Sequence, residues 1–220
     1  DLGNFIVIHI SDEEGFDGDE FYNQVPKNIP IWRNFWHSRF DSDLRLRYFP
    51  IGPRNIFLLN KKNNYSIASK RKYPCIFMGT VWASGSRKYA LDLFRQNIPD
   101  GFYYSSTNFS QGLPLDQYST LISNSVFSLA PEGDRHLDTF RLWESLSCGC
   151  IPLIVDYKLT AQRLIEQPHP LPVFVSWEDA LAFARQMLIA PSHLDALQMK
   201  INKWWERYFS ELSITIKSSI

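Results

Sequence analysis

The chain has 220 residues, 45% of them apolar and 15% aromatic, which is material for a sizeable core and excludes a disordered polymer. Lys plus Arg and Asp plus Glu each number 23, so no global charge draws the chain to nucleic acid or to an anionic membrane, and any anion binding has to be local. No apolar run approaches the roughly 20 residues that span a bilayer, and no signal peptide is visible.

Phe5 to Ile10 is a nearly continuous apolar run, the pattern of a central parallel strand buried on both faces. It ends in Ser11-Asp12-Glu13-Glu14, and carboxylates at that end of such a strand face a ligand crevice. Asp12 and Glu13 are therefore candidates for a general base that takes a proton from a hydroxyl. The competing view is a solvated acidic loop, because Asp17, Asp19 and Glu20 continue the acidity. His9 reads as a packed histidine. Ile31 to Trp36 is a short aromatic strand, either a platform for a sugar ring or a core segment with Arg33 paired to an acid. Leu44 to Phe49 alternates Leu and Arg, so Arg45 and Arg47 are expected to point to solvent. Residues 60 to 73 are polar and basic without periodicity and read as a linker.

Beyond the linker, Pro74 to Met78 is a strand, and Gly79 and Thr80 open a loop. Ser84-Gly85-Ser86-Arg87 then leads into a helix with Ala90, Leu93 and Phe94 on one face. Strand, small-residue loop and helix together make a phosphate-cradling geometry, though not the GxGxxG of a dinucleotide site. Phe102 to Ser105 is a further strand, and Pro114 starts a helix carrying Leu115, Tyr118, Leu121 and Ile122.

Val126 to Asp156 forms the centre. Val126 to Ala130 is a buried strand stopped by Pro131-Glu132-Gly133, Asp138 is the expected N-cap, and Thr139 to Cys148 is a helix with Phe140, Trp143 and Leu146 inward. Gly149 ends it in the left-handed conformation, and Ile151 to Val155 is the next strand, parallel to the first. Arg141 stands in the first helical turn, where the macrodipole favours an acid, and a bound diphosphate would remove that conflict. Glu144 shares its face, and the two also fit an ordinary solvated pair. Pro172 to Val175 is the last strand, Ser176 to Asp179 a capping box before a helix from Trp177 to Ile189, and Ser192 with Asp195 a second such device. Trp204, Trp205, Tyr208 and Phe209 on the final helix form a docking face. The three cysteines, Cys75, Cys148 and Cys150, are too few and odd in number for a disulfide framework and read as small buried residues.

Pro131, Gly133, Thr139, Arg141, Glu144, Leu146, Gly149, Ile151 and Pro152, followed by PVFVSWEDAL and KWWERYF, resemble in their order the signature of the exostosin-type glycosyltransferases. Within that group the likeness is to the ribitol xylosyltransferase type. It covers residues 120 to 212, with a weaker match in HISDEE, IWRNFW and RYFPIG. The resemblance implies an α/β, GT-B-like fold with a Rossmann-type parallel sheet flanked by helices. It also implies a nearly complete donor domain with a remnant of an acceptor domain, in keeping with a processed, truncated or partial chain that opens at Asp1. The expected organisation is an acceptor-side part over 1–60, a linker over 61–73, a nucleotide-sugar domain over 74–192 and a terminal helix over 193–220 that packs back across the linker.

The implied reaction moves a sugar, xylose among the candidates, from a UDP-sugar to a hydroxyl with inversion. Asp12 and Glu13 would be catalytic, and Gly79, Thr80, Arg87, Pro131, Gly133, Arg135, Thr139, Arg141 and Glu144 would bind the donor. Glu132 stands where exostosins commonly carry a basic residue, and Arg135 is the expected substitute. Neither a metal nor a cofactor is implied beyond the UDP-sugar itself, and the partners are that donor and a glycan or other hydroxyl acceptor, with no nucleic acid. The alternatives are a non-catalytic nucleotide-sugar or glycan-binding protein of the same fold and a GDP-fucose-type transferase. The compartment would be cytoplasmic in a bacterium and the Golgi lumen in a eukaryote.

Overall fold

Each strand that the hydrophobic pattern marks pairs in parallel with its neighbour, and the pairs assemble into two sheets. The computed structural model describes residues 5–17, 19–59, 65–81, 86–133, 135–158, 160–165 and 167–219. Ser84 and Gly85, and residues 60–64 of the expected linker, lie outside the described residues.

The first sheet holds β1 (Val7–His9), β2 (Ile31–Arg33) and β3 (Leu46–Tyr48) in that order. Helix α1 (Asp19–Gln24) supplies Tyr22 to a small core with Val25, Ile29, Ile31 and Phe40. β2 is central and buried throughout. Its last residue, Arg33, is fully buried with Nη2 2.9 Å from Asp12 Oδ2, Nη1 donating to the Tyr22 hydroxyl at 3.1 Å, and the guanidinium 4.6 Å over the Phe40 ring. The acid that neutralises Arg33 is thus Asp12.

Two expectations change here. β1 is an edge strand, with Ile8 54% and Ile10 63% exposed, because an apolar run looks the same whether one face or both are covered. Arg45 does not point to solvent: it pairs with Asp43 at 2.6 Å and donates to the Val25 and Tyr22 carbonyls just past and within α1. Strand alternation sets the direction of Cβ, and a long side chain can still reach back.

The second sheet holds β4 (Tyr73–Thr80), β5 (Phe102–Ser106), β6 (Ser125–Leu129), β7 (Ile151–Val155) and β8 (Val173–Phe174) in the order β5-β4-β6-β7-β8. β6 and β7 are buried at every position, as their continuous apolar runs require. Around them lie α2 (Asn55–Leu59), α3 (Ser86–Asn97), α4 (Leu115–Ser123), α5 (Phe140–Ser147), α6 (Ala161–Leu164), α7 (Trp177–Leu188) and α8 (Pro191–Lys217). Ser176 caps α7 by accepting from the Asp179 amide. Gly149 ends α5 at φ +62°, and a Cβ there would come within 2.7 Å of Tyr65.

Helix α5 departs from the one-sided pattern. Leu142 through Ser147 are all buried while Phe140 is 49% exposed, because α5 is sandwiched between β7 and α8. Trp143 stacks on Trp205 at 5.7 Å and on Tyr208 at 6.2 Å, which is how the aromatic face of α8 docks. The cap position of α5 belongs to Thr139, with no side-chain bond, and Asp138 instead accepts from Trp143 Nε1 at 2.7 Å and from the Ile51 amide at 3.0 Å. Asp195 is likewise no cap: it accepts from the Ser69 amide and hydroxyl at 2.8 and 2.7 Å. The three cysteines are buried. At the far end of α8, Arg47 of β3 reaches the Ser219 hydroxyl at 3.4 Å.

Burial works to raise the Asp12 carboxyl, but the Arg33 hydrogen bond and the backbone donors around it bring it below its ordinary value. Its contribution to stability is therefore present at neutral pH and is lost as pH falls through that lowered value. Asp12→Ala leaves Arg33 buried and uncompensated, and urea unfolding at pH 7 should show a loss of about 3–5 kcal/mol. A loss below about 1 kcal/mol would mean that the pair does not anchor the first sheet.

Candidate active site

Strand order reverses between β4 and β6, and in such sheets ligands bind outside the carboxyl ends of the strands at that reversal. The chain has a cleft of about 400 Å³ there, bordered by the ends of β4 and β5 and the start of α5. Six of the residues singled out from the sequence line it: Gly79, Thr80, Arg87, Thr139, Arg141 and Glu144.

Arg87, on the first turn of α3, is buried and staples the crevice. Its Nε donates to the Glu132 carbonyl beyond β6 at 2.9 Å and its Nη1 to the Thr80 carbonyl of β4 at 3.1 Å. Thr80 Oγ1 lies 3.3 Å from Ser106 Oγ at the end of β5. Arg141 crosses from α5 to β4, where Nε and Nη2 donate to the Met78 carbonyl at 3.2 and 3.1 Å and the guanidinium lies 4.7 Å over Phe77. Gly79 has φ +155°, and a Cβ there would overlap Arg141 Nη2, so glycine is what lets this arginine lie against the strand. Arg141 Nη1 and Thr139 Oγ1 are buried and make no hydrogen bond among the described residues. Burial depresses the Arg141 pKa, Tyr118 and Glu144 favour its charge, and Arg54 opposes it.

Glu144 is not the solvated partner of Arg141 that an i, i+3 spacing allows. It is 1% exposed, and its Oε1 accepts from Arg54 Nε at 2.5 Å. Burial works against the Arg54 charge, yet the hydrogen bond and attraction of Glu144 offset it, so the Arg54 pKa is raised. Tyr118, expected only as a core residue, also lines the cleft, its hydroxyl pushed up by burial and by the Glu144 carboxylate. Among the described residues, three arginines and one carboxylate line the cleft, a net charge of +2.

Arg54 escaped the sequence reading. The signal was there, since it precedes the first turn of α2, the same cation-at-an-N-terminus misfit that drew attention to Arg141.

The remaining candidates gather beside the cleft. Pro131 and Gly133 follow β6, and Glu13 Oε1 accepts from the Arg135 amide at 3.1 Å. A Cβ on Gly133 would lie 2.8 Å from Glu13 Oε1 and 3.5 Å from Thr139 Cγ2, so Glu13, Gly133 and Thr139 meet at the rim. His136 Nε2 lies 3.1 Å from the Glu13 carbonyl, and the Arg135 guanidinium pairs with Glu14 at 2.8 Å instead of lining the cleft. Asp12 is held by Arg33, behind this rim. The loop after β1 and the segment after β2 each contain a residue at positive φ, Ser11 at 74° and Phe35 at 54°, and Phe35 packs 5.4 Å from His136. Local strain is thus concentrated where the two sheets meet. Among the described residues no three of His, Cys, Asp and Glu come together as a metal site requires, and no helix is long and apolar enough to cross a membrane.

The chain is an α/β protein with a cationic cleft at the switch point of a parallel sheet. The chain belongs to the RXYLT1 C-terminal domain family, whose model matches residues 54–208. It is similar to Exostosin-1 of Drosophila melanogaster, 30% identical over 105 residues that cover 43% of this chain and 13% of that protein. It is also similar to ribitol-5-phosphate xylosyltransferase 1 of Mus musculus, 23% identical over 163 residues that cover 65% of this chain and 36% of that protein. The chain therefore spans well under two thirds of the length of both relatives. Among solved structures, a crystal structure of an α1,3-fucosyltransferase aligns with a TM-score of 0.48 and 12% identity, covering 88% of this chain and 80% of that one.

Asp138 controls how this site is held, and it carries a pH signature. Burial pushes its carboxyl up to about 7, the Trp143 and Ile51 hydrogen bonds pull it down, and the Glu13 charge adds to the rise. A carboxyl raised in the folded state is a cost at high pH, so its share of stability grows as pH falls from about 7 towards 4, by up to about 1.4 kcal/mol per unit. Unfolding measured from pH 8 to pH 4.5 should show the wild type gaining on Asp138→Asn across that window. A difference that stays flat with pH would show that Asp138 is ionised throughout.

Proposed function

We propose that this chain is the nucleotide-sugar-binding part of a glycosyltransferase that moves a sugar from a UDP-sugar to a hydroxyl with inversion. The observation that carries it is the pair of buried, unsatisfied groups, Arg141 Nη1 and Thr139 Oγ1, facing a cleft of net charge +2 at the start of α5. A buried donor without a partner costs about 1–3 kcal/mol, and phosphate oxygens are the acceptors that fit both the charge and the helix N-terminus. Membership of the family and the name of the mouse relative, a xylosyltransferase, support sugar transfer. Xylose as the sugar and ribitol 5-phosphate as the first acceptor to try come from the name of the mouse relative alone.

In this reading the diphosphate lies against Arg141 and the start of α5, and Gly79 keeps that approach open. Glu144 accepts from ribose hydroxyls. An acceptor hydroxyl attacks the anomeric carbon as the bond to the diphosphate oxygen breaks. UDP leaves with that electron pair, and the hydroxyl proton passes to a carboxylate. Glu13 is the better placed of the two acids, since it reaches the rim at Gly133 and Thr139. Asp12, tied to Arg33 and held below its ordinary pKa, is the weaker base and fixes the loop that carries Glu13. The arginines offset the charge on departing UDP, the task a divalent ion performs elsewhere, and no resident metal is needed.

Calorimetric titration should show UDP binding in preference to GDP, unchanged by EDTA and weakened by about 1.5–3 kcal/mol in Arg141→Ala, the worth of a hydrogen bond to a charged group. Preference for GDP would move the donor to the guanine class, and an intact chain that bound neither would end the donor-site assignment. With UDP-xylose and ribitol 5-phosphate, Glu13→Gln should lower turnover about 10²- to 10⁴-fold with UDP affinity kept. Turnover within about twofold of the wild type would remove Glu13 from the base role, and a chain that binds donor without turnover would be a non-catalytic member of the fold.

A further inference from the structure

Arg54 stands on the segment that leaves the first sheet and enters α2, three residues after Ile51, whose amide is held by Asp138. Its side chain lies over two rings, 5.1 Å from the Tyr118 centroid and 5.8 Å from that of Phe57, with Nε on Glu144. A guanidinium carries five N–H donors in a rigid fork, and among the described residues only the one on Nε finds a partner. The Nη1 and Nη2 groups have no hydrogen-bond partner among the described residues, and the side chain, 40% exposed, opens on the cleft.

The charges around it are unbalanced. Arg54, Arg141 and Glu144 line the same cleft, and the Arg54 charge opposes that of Arg141. One carboxylate cannot neutralise two guanidiniums, and Arg87 adds a third positive charge to the same walls. An anion with two or more charges, lying between the two arginines, satisfies both.

We propose that Arg54 is a second phosphate-binding residue of the cleft, its Nη groups taking the terminal phosphate of a nucleoside diphosphate while its Nε stays on the Glu144 carboxylate. This rests on the reading of the cleft as a nucleoside diphosphate site. Arg54 comes from the segment joining the two sheets, so a diphosphate held by both arginines also ties that segment to the second sheet.

The test is titration of the chain with UDP and with inorganic pyrophosphate, for the wild type, Arg54→Gln and Arg54→Lys, with thermal unfolding as the control for folding. Arg54→Gln should bind both ligands about 10- to 100-fold more weakly, the scale of a charge-assisted contact to phosphate. Arg54→Lys keeps a point charge without the fork and should lose at least about fivefold for both. It serves alone if Arg54→Gln does not fold. Pyrophosphate has no ribose, so a variant that loses UDP affinity but binds pyrophosphate like the wild type would show that Arg54 acts only through Glu144, and would overturn the phosphate contact. Folded variants that bind UDP as the wild type does would overturn the role of Arg54 and leave the donor site standing. A wild-type chain that bound UDP but not pyrophosphate would do the same, and one that bound neither ligand would remove both.

Discussion

A single buried carboxylate sets the relation between the two sheets. Asp138 accepts from the Ile51 amide, 87 positions away in the chain, on one side and from Trp143 Nε1 on the other. Ile51 lies just before Arg54 and Trp143 just before Glu144, so this one junction brings the arginine of one segment onto the carboxylate of another at 2.5 Å. Trp143 in turn stacks on Trp205 and Tyr208, so the position of α8 is transmitted to the same point. The junction is costly, because burial in a nearly water-free place raises the Asp138 carboxyl towards neutrality. Two hydrogen bonds from fixed donors limit that cost and give the carboxylate one orientation.

The cleft shows the opposite economy. Arg71, buried beside β6, is well partnered: it donates to the Ser66, Ser125 and Cys148 carbonyls. At the start of α5, Arg141 Nη1 and Thr139 Oγ1 are left without partners, and Gly79 accepts a backbone conformation that no side chain favours in order to admit the Arg141 guanidinium. At this place the two incomplete groups coincide with concavity and positive charge, and that combination, not the lack of partners alone, sets it apart from other buried polar groups.

Much of the architecture was legible from the chain because it is written locally. Strand runs such as Ile151 to Val155 are short and continuously apolar, Gly149 sits at a helix end, and Ser176 stands three residues before Asp179, each a pattern confined to a few neighbours. What escaped depends on what covers a segment. The run from Phe5 to Ile10 has the composition of a central strand but lies at an edge, and α5 looks one-sided but is enclosed by β7 and α8. The same holds at the site. Arg141 and Glu144 were conspicuous on one helix, whereas the Arg54 contact spans 90 residues and the Asp12 partner of Arg33 spans 21, and no local period records either.

Why Arg141 tolerates the first turn of a helix follows from these distances. The macrodipole opposes a cation there by about 0.3–1 kcal/mol when the group is solvated. Arg141 does not stay in that field unaided: its guanidinium is turned onto the Met78 carbonyl at the end of β4 and over the face of Phe77, both of which favour positive charge. The strand end and the ring thus offset the helix end, at the expense of burying the group, and its pKa falls below that of a free arginine. A cation held this way is fixed in position and still poorly solvated, so it has more to gain from an incoming anion than a surface arginine would. The misfit visible in the sequence and the unpartnered Nη1 in the structure are therefore one property seen at two levels: a buried positive charge whose hydrogen bonding is incomplete among the described residues.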